Sequence, residues 1–368
     1  MANRYLVKLT PIGKYYFGSE NSFNAIDKAN NSIPSTNYLV RSREYPQQTT
    51  LLGMMRYAIL QQYQLLGKDK STWASKIGIS SFQGNGVDIN GHQTNNWGLI
   101  TSISPLFLVQ GENKFVPAGL DNQFYLDDES KEYGELLLPM IKEEVISNYN
   151  PASFRLLNEY DPKVHSLQLW INQETNEFIK PCDIFKESFQ VGIKKSRSGT
   201  PENDGFYKEY FFQLQNDFSF AFYLTTNEII EYFNNPFIIQ SGGDQSLFQV
   251  HLTAANDDIF ETLAPTGTGK ITLLSDSYCN ADEILPLCTC CITQNVDFRY
   301  LQTTTSTEAY SNLGSGVSGI KKSIKMNLLE RGSVLYTLDA NALSKLLEQP
   351  TPYRNAGFNY YSFKSLNT

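Results

Sequence analysis

The residues best suited to chemistry lie in a glycine-rich stretch near the C-terminus. Residues 313–339 read LGSGVSGIKKSIKMNLLERGSVLYTLD, in which Gly314, Gly316 and Gly319 spell G-x-G-x-x-G and an apolar run ends at Asp339. This pattern is typical of a dinucleotide-binding fingerprint, but that fingerprint needs an apolar strand before the glycines, and the preceding TTTSTEAYSNL is polar. The sequence favours a glycine loop that presents backbone N–H groups and lysines to a phosphate chain, with a plain surface loop as the alternative.

Two basic clusters accompany glycine-bearing loops. Lys321, Lys322 and Lys325 follow the glycine loop, and a second cluster lies on one arm of a predicted hairpin, FQVGIKKSRSGTPENDGFYKEYFFQL. Each cluster alone is typical of a solvated face, but two such clusters favour contact with a phosphate backbone. The aromatic residues of the other arm either pack in the core, stack on bases or wedge between them. The remaining candidate cations are Lys194, Lys195 and Arg197 on the hairpin and Arg56 near the start of the first predicted helix.

A second glycine motif, APTGTGKIT, is similar to a nucleotide-binding P-loop but lacks two required residues. Ala264 stands in place of the first glycine, and Ile271 stands where a magnesium-binding Ser or Thr should follow Lys270. We expect a hairpin turn at Thr266–Gly269 instead. SGGDQS at 241–246 shares Gly-Gly-Asp with nucleotide cyclases but has no second Asp, so it predicts a glycine turn into a strand.

The cysteines and histidines do not form a catalytic or metal-binding pattern. Zinc sites usually place C-x-x-C pairs in separate knuckles, whereas the CTCC run has a different spacing and apolar neighbours. We expect buried free thiols, no metal and no cofactor. The histidines are scattered, and no Ser/His/Asp or paired-carboxylate arrangement follows from the spacing. The residues concerned are Cys279, Cys288, Cys290, Cys291, His92, His165 and His251.

The composition of the chain limits the classes of protein to which it can belong. The 368 residues are 41% hydrophobic, which suffices for two domains, and the 22 Tyr and 23 Phe favour strands over helical bundles. The net charge of -8 argues against a free-standing nucleic-acid binder but is compatible with a local basic patch. Five Cys do not make a disulfide scaffold. We see no signal peptide and no apolar run near the ~20 residues of a membrane span, so we expect a soluble cytoplasmic protein.

The elements that must position these residues are mostly strands. RYLVKLTPI predicts a first strand, and YPQQTTLLGMMRYAILQQYQLLG predicts a helix that Thr49 or Thr50 caps and Gly67 ends. We expect loop at 71–96 and a helix near 135–147. Further strands are predicted at WGLITSISPLFLVQG, FSFAFYL, SLFQVHL, KITLLS, VDFRYL, GSVLYTLD and GFNYYSF, and helices at NEIIEYF, DEILPLC and ANALSKLLE, the last capped by Asp339.

The order of these elements predicts two similar halves. FSFAFYL, NEIIEYF and SLFQVHL fit the second half of a split β-α-β fold, and a similar order returns after about residue 258. We therefore predict an α+β protein of two ferredoxin-like (RRM-like) domains with long insertions and a protruding β-hairpin. The first domain would span residues 1–258 with the hairpin at about 189–212, and the second would span 259–368 with the glycine loop at 314–319.

Four stretches, in this order along the chain, resemble the RAMP superfamily of CRISPR effector subunits, and within it the third subunits of the type III-B (Cmr) complex. YPQQTTLLGMMRYAIL is similar to the family's Pro-x-x-Thr-x-x-Gly-x-x-Arg entry into its first helix. VGIKKSRSGTPENDGFYKEYFFQL is similar to its hairpin segment, and SGGDQSLFQV to its Gly-Gly-acid turn. GSGVSGIKKSIKMNLLERGSVLY resembles its glycine loop and G-S-V-aromatic strand, although LLERGSV departs from the usual Ala/Pro lead and 111–160 carries no likeness.

The resemblance implies a non-catalytic, single-copy subunit that binds the guide RNA (crRNA) by its 5′ tag in antiviral defence. It implies that the glycine loop and its lysines contact the tag and that the hairpin acts as a thumb at the guide–target duplex. Other faces would dock the large polymerase-like subunit and the first backbone RAMP subunit. Two alternatives stay open: a guide-processing endoribonuclease of the same superfamily, with a positioned residue such as His92, and a nucleotide-dependent oxidoreductase that uses the loop at 314–319.

Overall fold

The fold is mainly antiparallel sheet with few helices, as the predicted α+β class requires. The computed structural model describes residues 3–18, 38–68, 70–78, 86–87, 93–94, 97–121, 123–126, 133–137, 168–196, 198–230, 235–241, 246–261, 264–303, 320–349 and 351–365. Across these ranges, the helices are all too short or too polar to span a membrane.

The described strands and helices have the following bounds. The strands are β1 Asn3–Pro11, β2 Tyr38–Arg41, β3 Gly86–Val87, β4 Gln93–Thr94, β5 Ile100–Ile103, β6 Phe107–Gln110, β7 Asn113–Pro117, β8 Gln123–Leu126, β9 Tyr133–Leu137, β10 Trp170–Asn172, β11 Phe178–Ile179, β12 Phe185–Lys195, β13 Pro201–Leu214, β14 Ser219–Thr226, β15 Phe237–Ser241, β16 Ser246–Ala254, β17 Gly269–Leu273, β18 Cys288–Ile292, β19 Asn295–Phe298, β20 Leu301–Thr303, β21 Ile320–Lys322, β22 Met326–Leu329, β23 Val334–Thr337 and β24 Tyr361–Ser365. The helices are α1 Gln48–Gln62, α2 Lys70–Ile77, α3 Pro181–Ile184, α4 Ala281–Ile284, α5 Ala340–Glu348 and α6 Thr351–Asn355, and a 3₁₀ turn at Leu285–Leu287 follows α4.

The N-terminal half is built on a nine-stranded sheet. Its order is β11-β10-β7-β6-β14-β1-β16-β15, and β5 also pairs with β14. β1 lies between β14 and β16 and runs antiparallel to both. β16 alternates between buried and exposed residues because only one face of it meets the core, whereas the more central β14 is buried along most of its length.

The C-terminal half has a smaller sheet of the same strand order. Its four strands lie in the order β18-β23-β17-β24, with antiparallel neighbours throughout. When the four strands of this sheet are numbered among themselves in chain order, they lie in the order second, third, first, fourth. The four strands β6-β14-β1-β16 of the larger sheet, numbered in the same way, have the same order. In both halves a long insertion separates the second strand from the third. It carries the hairpin β12–β13 in the first half and β19 to β22 in the second.

Hydrophobic packing joins the two halves. The largest cluster lies under β1, β14 and β16, and it includes α1 together with Phe298, Leu328 and Phe358 of the C-terminal half. On the other face of the nine-stranded sheet, Leu274 packs in a cluster with Phe107 and its neighbours. The smaller sheet has a cluster of its own, formed with α5. The elements inserted into the second half are therefore anchored on the core of the first.

The first helix differs from the prediction at both ends. It begins at Gln48, so Thr49 and Thr50 lie in its first turn, and Gln47 precedes it with no side-chain capping bond. A tertiary contact fixes the start of the helix: the fully buried Gln48 side chain donates to the Ser104 carbonyl at 2.8 Å. The helix ends at Gln62, and Gly67 lies in a later turn with a left-handed φ of +80°.

Other elements were misassigned from local composition. A helix, α2, lies within the expected loop 71–96 because Trp73 packs against the core and donates to the Leu65 carbonyl at 2.9 Å. The helix expected near 135–147 is wrong over 135–137, which lie in β9, and the rest lies outside the described residues. NEIIEYF is not helical over 227–230.

Several predicted elements are confirmed. The first strand, the long hairpin, FSFAFYL, SLFQVHL, KITLLS and the short helix at DEILPLC all appear, and β23 and α5 match GSVLYTLD and ANALSKLLE. The Asp339 carboxylate accepts from the Ala342 N–H at 3.0 Å and so caps α5 as predicted. WGLITSISPLFLVQG and VDFRYL each divide into two strands, and GFNYYSF becomes a strand only from Tyr361.

Candidate nucleic-acid interface

The hairpin β12–β13 is the longest two-stranded element in the described chain. Its strands pair antiparallel from Phe185↔Leu214 to Lys195↔Pro201, with an irregularity between Ile193 and Lys195. β2 adds a third strand, which runs parallel to the middle of β13 at Tyr207–Tyr210. In the described chain β12 pairs only with β13, so the hairpin and β2 form a sheet separate from the core sheets.

Aromatic packing holds the base of the hairpin. Phe185 and Phe212 are buried in the large cluster, and Phe212 also bridges to Tyr15. On the other face, Phe211 meets Tyr16 edge-on with ring centroids 5.9 Å apart. Both faces are thus fixed where the hairpin leaves the core, which limits its freedom to swing.

One face of the middle of the hairpin exposes apolar side chains beside cations. Phe189 and Val191 are 61% and 59% exposed, and they alternate with polar residues along β12. The Lys208 ammonium lies 4.1 Å from the centre of the Phe189 ring and 4.7 Å from that of Tyr210. Such cation–π contacts hold the lysine head on the rings while the apolar surface stays accessible. This surface suits contact with the flat faces of nucleobases.

The cations predicted near the hairpin tip are only partly described. Lys195 is exposed at the end of β12, and Lys194 precedes it in the strand. The side chain of Lys194 and the whole of Arg197 lie outside the described residues. Between the strands, the hydroxyls of Ser196, Ser198 and Thr200 hydrogen-bond to one another.

The second inserted element is the C-terminal ribbon, residues 295–329. β19 pairs with β22, and further out β20 pairs with β21, both antiparallel. The glycine positions Gly314, Gly316 and Gly319 lie outside the described residues, but the strands on both sides of them pair with each other. The glycines therefore connect two strands of a ribbon, whereas a dinucleotide site needs a helix after them.

The ribbon carries the other predicted cations. Lys321 and Lys322 lie in β21, and their side chains are outside the described residues. Lys325 follows the bend between β21 and β22, and its ammonium pairs with the Asp297 carboxylate at 2.7 Å. The neighbouring Ile324 is 81% exposed. Lys325 is therefore partly neutralised within the ribbon itself.

The segment after β2, the strand that pairs with the hairpin, contacts the ribbon. Arg43, just beyond β2, donates to the Asp297 carbonyl of the ribbon at 3.0 Å. At the other end of β22 the fully buried Arg331 donates to the Asp276 carboxylate at 3.2 Å, and its guanidinium carbon lies 4.2 Å from the centre of the Tyr45 ring. The fold thus brings together two basic elements that lie over a hundred residues apart in sequence.

Burial perturbs one acid at this junction. It raises the pKa of Glu330 to about 7, and the neighbouring Asp276 adds to the rise. Arg331 and Arg43 act in the opposite direction, as does a hydrogen bond from Tyr45. The acid thus changes its charge near neutral pH at the point where the ribbon joins the core.

The remaining sequence candidates lie elsewhere. Arg56 lies in α1, where it donates to the Gly78 carbonyl at 3.2 Å and where burial lowers its pKa.

Lys270 of the P-loop-like motif pairs with the buried Asp121 at 2.6 Å. Gly267 has a φ of +71° and leads into β17, but in the described chain β17 pairs only with the later strands β23 and β24, so the expected hairpin turn at 266–269 is wrong. β15 and β16 pair at Ser241↔Ser246, and residues 242–245, where a glycine turn was expected, lie outside the described residues.

The cysteines are free thiols, and Cys288 is buried while Cys279, Cys290 and Cys291 are half-buried. A hydrogen bond with Cys291 raises the pKa of Cys288. In the described part of the chain no group of three or more His, Cys, Asp or Glu side chains could hold a metal ion. His251 is exposed on β16 opposite Lys8, while the other two histidines lie outside the described ranges.

Sequence reasoning missed three cations of the hairpin surface. Lys208 lies two residues before Tyr210, and residues two apart in a strand share a face, so the YKEY spacing could have identified it. Arg41 donates to Glu187 of β12 at 2.8 Å, and Lys14 lies 4.0 Å from the centre of the Phe211 ring. Both come from the N-terminal 44 residues, where no local pattern indicates pairing with β13.

Comparison with known proteins gives one family. A family model described as CRISPR-associated protein (Cas_Cmr3) matches residues 7–284. No curated protein matches the chain. A chain in a cryo-EM structure of the Type III-B Cmr-beta bound to cognate target RNA aligns with a TM-score of 0.53 at 12% identity, over 98% of this chain and 99% of that one. A chain of the complex bound to cognate target RNA and AMPPnP (state 1) gives 0.50 at 12% identity, over 98% and 96%. At this identity the likeness shows a shared fold.

Proposed function

The chain belongs to the CRISPR-associated Cas_Cmr3 family, and from this premise we propose that it is a non-catalytic subunit that binds guide RNA in a type III-B Cmr effector complex. The observation that carries the proposal is the contact between the ribbon and the segment after β2, the strand that pairs with the hairpin, on a fold shared with chains of RNA-bound complexes. In this proposal one RNA contacts both elements.

In this proposal the two elements have different roles. The glycine loop and the lysines beside it bind the phosphates of the 5′ tag, because glycines allow backbone N–H groups to come close and lysines add attraction. The hairpin places its exposed Phe189 and Val191 against bases of the guide–target duplex, as a thumb. Other faces dock the large polymerase-like subunit and a backbone RAMP subunit in a cytoplasmic, antiviral particle.

The fold supports a more detailed domain assignment. An antiparallel sheet with the strand order second, third, first, fourth is what a ferredoxin-like domain requires, and both halves contain it. We propose two such domains, residues 1–258 and 259–368, each with an RNA-binding insertion between its second and third strands. The insertion sites support a common plan for both halves.

The test uses the full chain, a labelled short single-stranded RNA and a salt titration. We expect Lys321→Ala/Lys322→Ala to weaken binding and to reduce the slope of log affinity against log salt by about 1.4, since each phosphate contact on a single strand contributes roughly 0.7. Lys345→Ala/Lys364→Ala is the matched control, because it removes the same charge from exposed positions on α5 and β24.

An unchanged slope in the first variant would contradict the role of the ribbon. Cleavage of the RNA by the wild-type chain alone would contradict the non-catalytic assignment.

A further inference from the structure

A rigid, half-exposed aromatic residue lies beside the base of the C-terminal ribbon. Tyr278 stacks on Tyr353 with ring centroids 4.4 Å apart and planes 9° from parallel. Tyr353 is buried, but Tyr278 is 40% exposed. Because the Tyr353 ring covers one face of the Tyr278 ring, we assign the exposed surface of Tyr278 to its edge and its opposite face. One face of the Tyr278 ring therefore rests on Tyr353, and the opposite face is open to solvent.

The surroundings fix this ring before any ligand arrives. The buried Asn359 side chain accepts from the Tyr278 N–H at 2.7 Å and donates to its carbonyl at 2.8 Å. Beneath it, Tyr353 meets Phe358 edge-on with centroids 5.8 Å apart, and its hydroxyl contacts the Met326 sulfur at 3.8 Å. A platform held in this way loses little conformational entropy on binding.

The platform is joined directly to the ribbon. Ser277, the preceding residue, exchanges two backbone hydrogen bonds with Leu329 at the end of β22. Met326, which contacts Tyr353, directly follows Lys325. Shortly after Tyr278 in sequence, α4 carries Asp282 and Glu283, which repel phosphate. The charges therefore favour a backbone that runs along the ribbon and turns one base toward Tyr278.

We propose that Tyr278 is a stacking platform for one unpaired nucleobase of an RNA strand whose phosphates follow the C-terminal ribbon. This inference rests on the proposed RNA-binding function and adds a site that recognises a base face instead of a phosphate. Stacking accepts any of the four bases, because every base has a π-face. The site therefore contributes affinity and register but no sequence preference.

The test compares the full chain and its variants for binding to a labelled single-stranded RNA and to a ribose-phosphate oligomer of equal length without bases. We expect Tyr278→Ala to weaken RNA binding about 5- to 150-fold, the range for loss of one stacked base. Affinity for the abasic oligomer and the salt slope should stay unchanged. Tyr278→Phe should bind as the wild type does, because the π-face is kept.

Two further variants make the result decisive. Tyr278→Leu keeps an apolar contact with Tyr353 but has no π-face, so it should lose the preference for RNA over the abasic oligomer even if the alanine variant unfolds. Tyr57→Ala is the matched control, since Tyr57 is 41% exposed on α1. Wild-type affinity for RNA in folded Tyr278→Leu would overturn the inference alone. A wild-type chain that binds no RNA at any salt would overturn the proposed function as well.

Discussion

The hairpin β12–β13 and the C-terminal ribbon occupy equivalent places in the two halves but are built in opposite ways. In the hairpin, aromatic and aliphatic side chains such as Phe189 and Val191 point to solvent. In the ribbon, the aromatic residues Phe298 and Tyr300 are buried in the large cluster. An exposed apolar surface favours contact with bases, while a ribbon that buries its rings leaves mainly charge and backbone for a ligand.

The two elements also use their cations differently. On the hairpin, Lys208 lies over two aromatic rings and Arg41 pairs with Glu187. On the ribbon, Lys325 pairs with a carboxylate of the same ribbon, and the sequence adds Lys321 and Lys322 beside the glycine loop. In the proposed function, the same insertion point therefore carries a base-contacting element in one half and a phosphate-contacting element in the other. The predictions below test this division.

The largest effect is expected from the anchor of the ribbon. Arg331→Ala removes a buried cation from Asp276 and from the ring of Tyr45, and loss of one partner of a buried pair costs about 3 to 5 kcal/mol of unfolding free energy. Chemical denaturation measures the loss. Hydrogen exchange should show that β19 and β22 lose more protection than β12 and β13.

Arg4→Ala is the control for this anchor, because the Arg4–Asp258 pair is partly exposed and such pairs contribute only about 0 to 1 kcal/mol. A loss in Arg331→Ala no larger than this would show that the buried pair does not hold the ribbon.

The second effect depends on pH and concerns Glu330. Its pKa is about 7 in the fold against an ordinary 4.5, so the folded state keeps a proton that the unfolded chain releases. Stability therefore falls as pH rises from about 4.5 to 7, by at most roughly 3 kcal/mol, and the loss is complete above pH 7. Glu330→Gln should raise the unfolding free energy at pH 8 and have little effect at pH 4.5.

The matched substitution on the hairpin is Glu187→Gln, which removes a partly exposed carboxylate. It should change the unfolding free energy by only about 0 to 1 kcal/mol at pH 4.5 and at pH 8, because the Arg41–Glu187 pair is partly exposed. An equal gain for Glu330→Gln at pH 4.5 and pH 8 would show that burial does not raise the pKa of this acid.

The hairpin was predictable from sequence because its signals are local. FQVGIKK and FYKEYFFQL each favour strand, and a Gly/Ser/Pro tip lies between them. β16 was predictable for a similar reason, since burial of one face leaves a simple alternation. The cap at Asp339 follows from a single polar residue before an apolar helix. Each of these elements carries its information within about twenty residues.

The anchors of the site were not predictable, because their partners are distant in sequence. Arg331 meets Asp276 across 55 residues, and Gln48 fixes the start of α1 through Ser104. From sequence alone, the arginine within LLERGSV is expected to be exposed, because arginine is seldom fully buried without a paired partner. The parallel pairing of β2 with β13 likewise has no local signal. Sequence therefore located the basic segments but not the contacts that bring them together.

The third effect tests the exposed face of the hairpin. Phe189→Ala/Val191→Ala should change the unfolding free energy by only about 0.5 kcal/mol, because both residues are exposed. Affinity for a short guide–target duplex with a frayed end should fall about 10-fold if the rings contact bases. The salt slope should stay constant, since no charge is lost. Electrophoretic mobility shift at several salt concentrations measures both quantities.

Ile238→Ala/Leu247→Ala is the matched control, because these exposed apolar residues lie on the edge hairpin β15–β16. Equal loss in both double variants would mean that any exposed apolar pair supports binding, and the hairpin would have no special role.

The smallest effect concerns Asp297, which neutralises Lys325 on the ribbon. Asp297→Asn keeps the carbonyl that accepts from Arg43, so stability should change by about 0 to 1 kcal/mol. The released lysine becomes available to a phosphate, and the salt slope for single-stranded RNA should steepen by roughly 0.7. Adding Lys325→Ala to this variant should reverse the change.

The hairpin offers the corresponding experiment and should give a different result. Glu187→Gln releases Arg41 just as Asp297→Asn releases Lys325, and both substitutions remove one negative charge. If the hairpin contacts bases and the ribbon contacts phosphates, the salt slope steepens only for Asp297→Asn. An equal steepening in Glu187→Gln would place phosphates along both elements, and the chemical division between the two insertions would then be wrong.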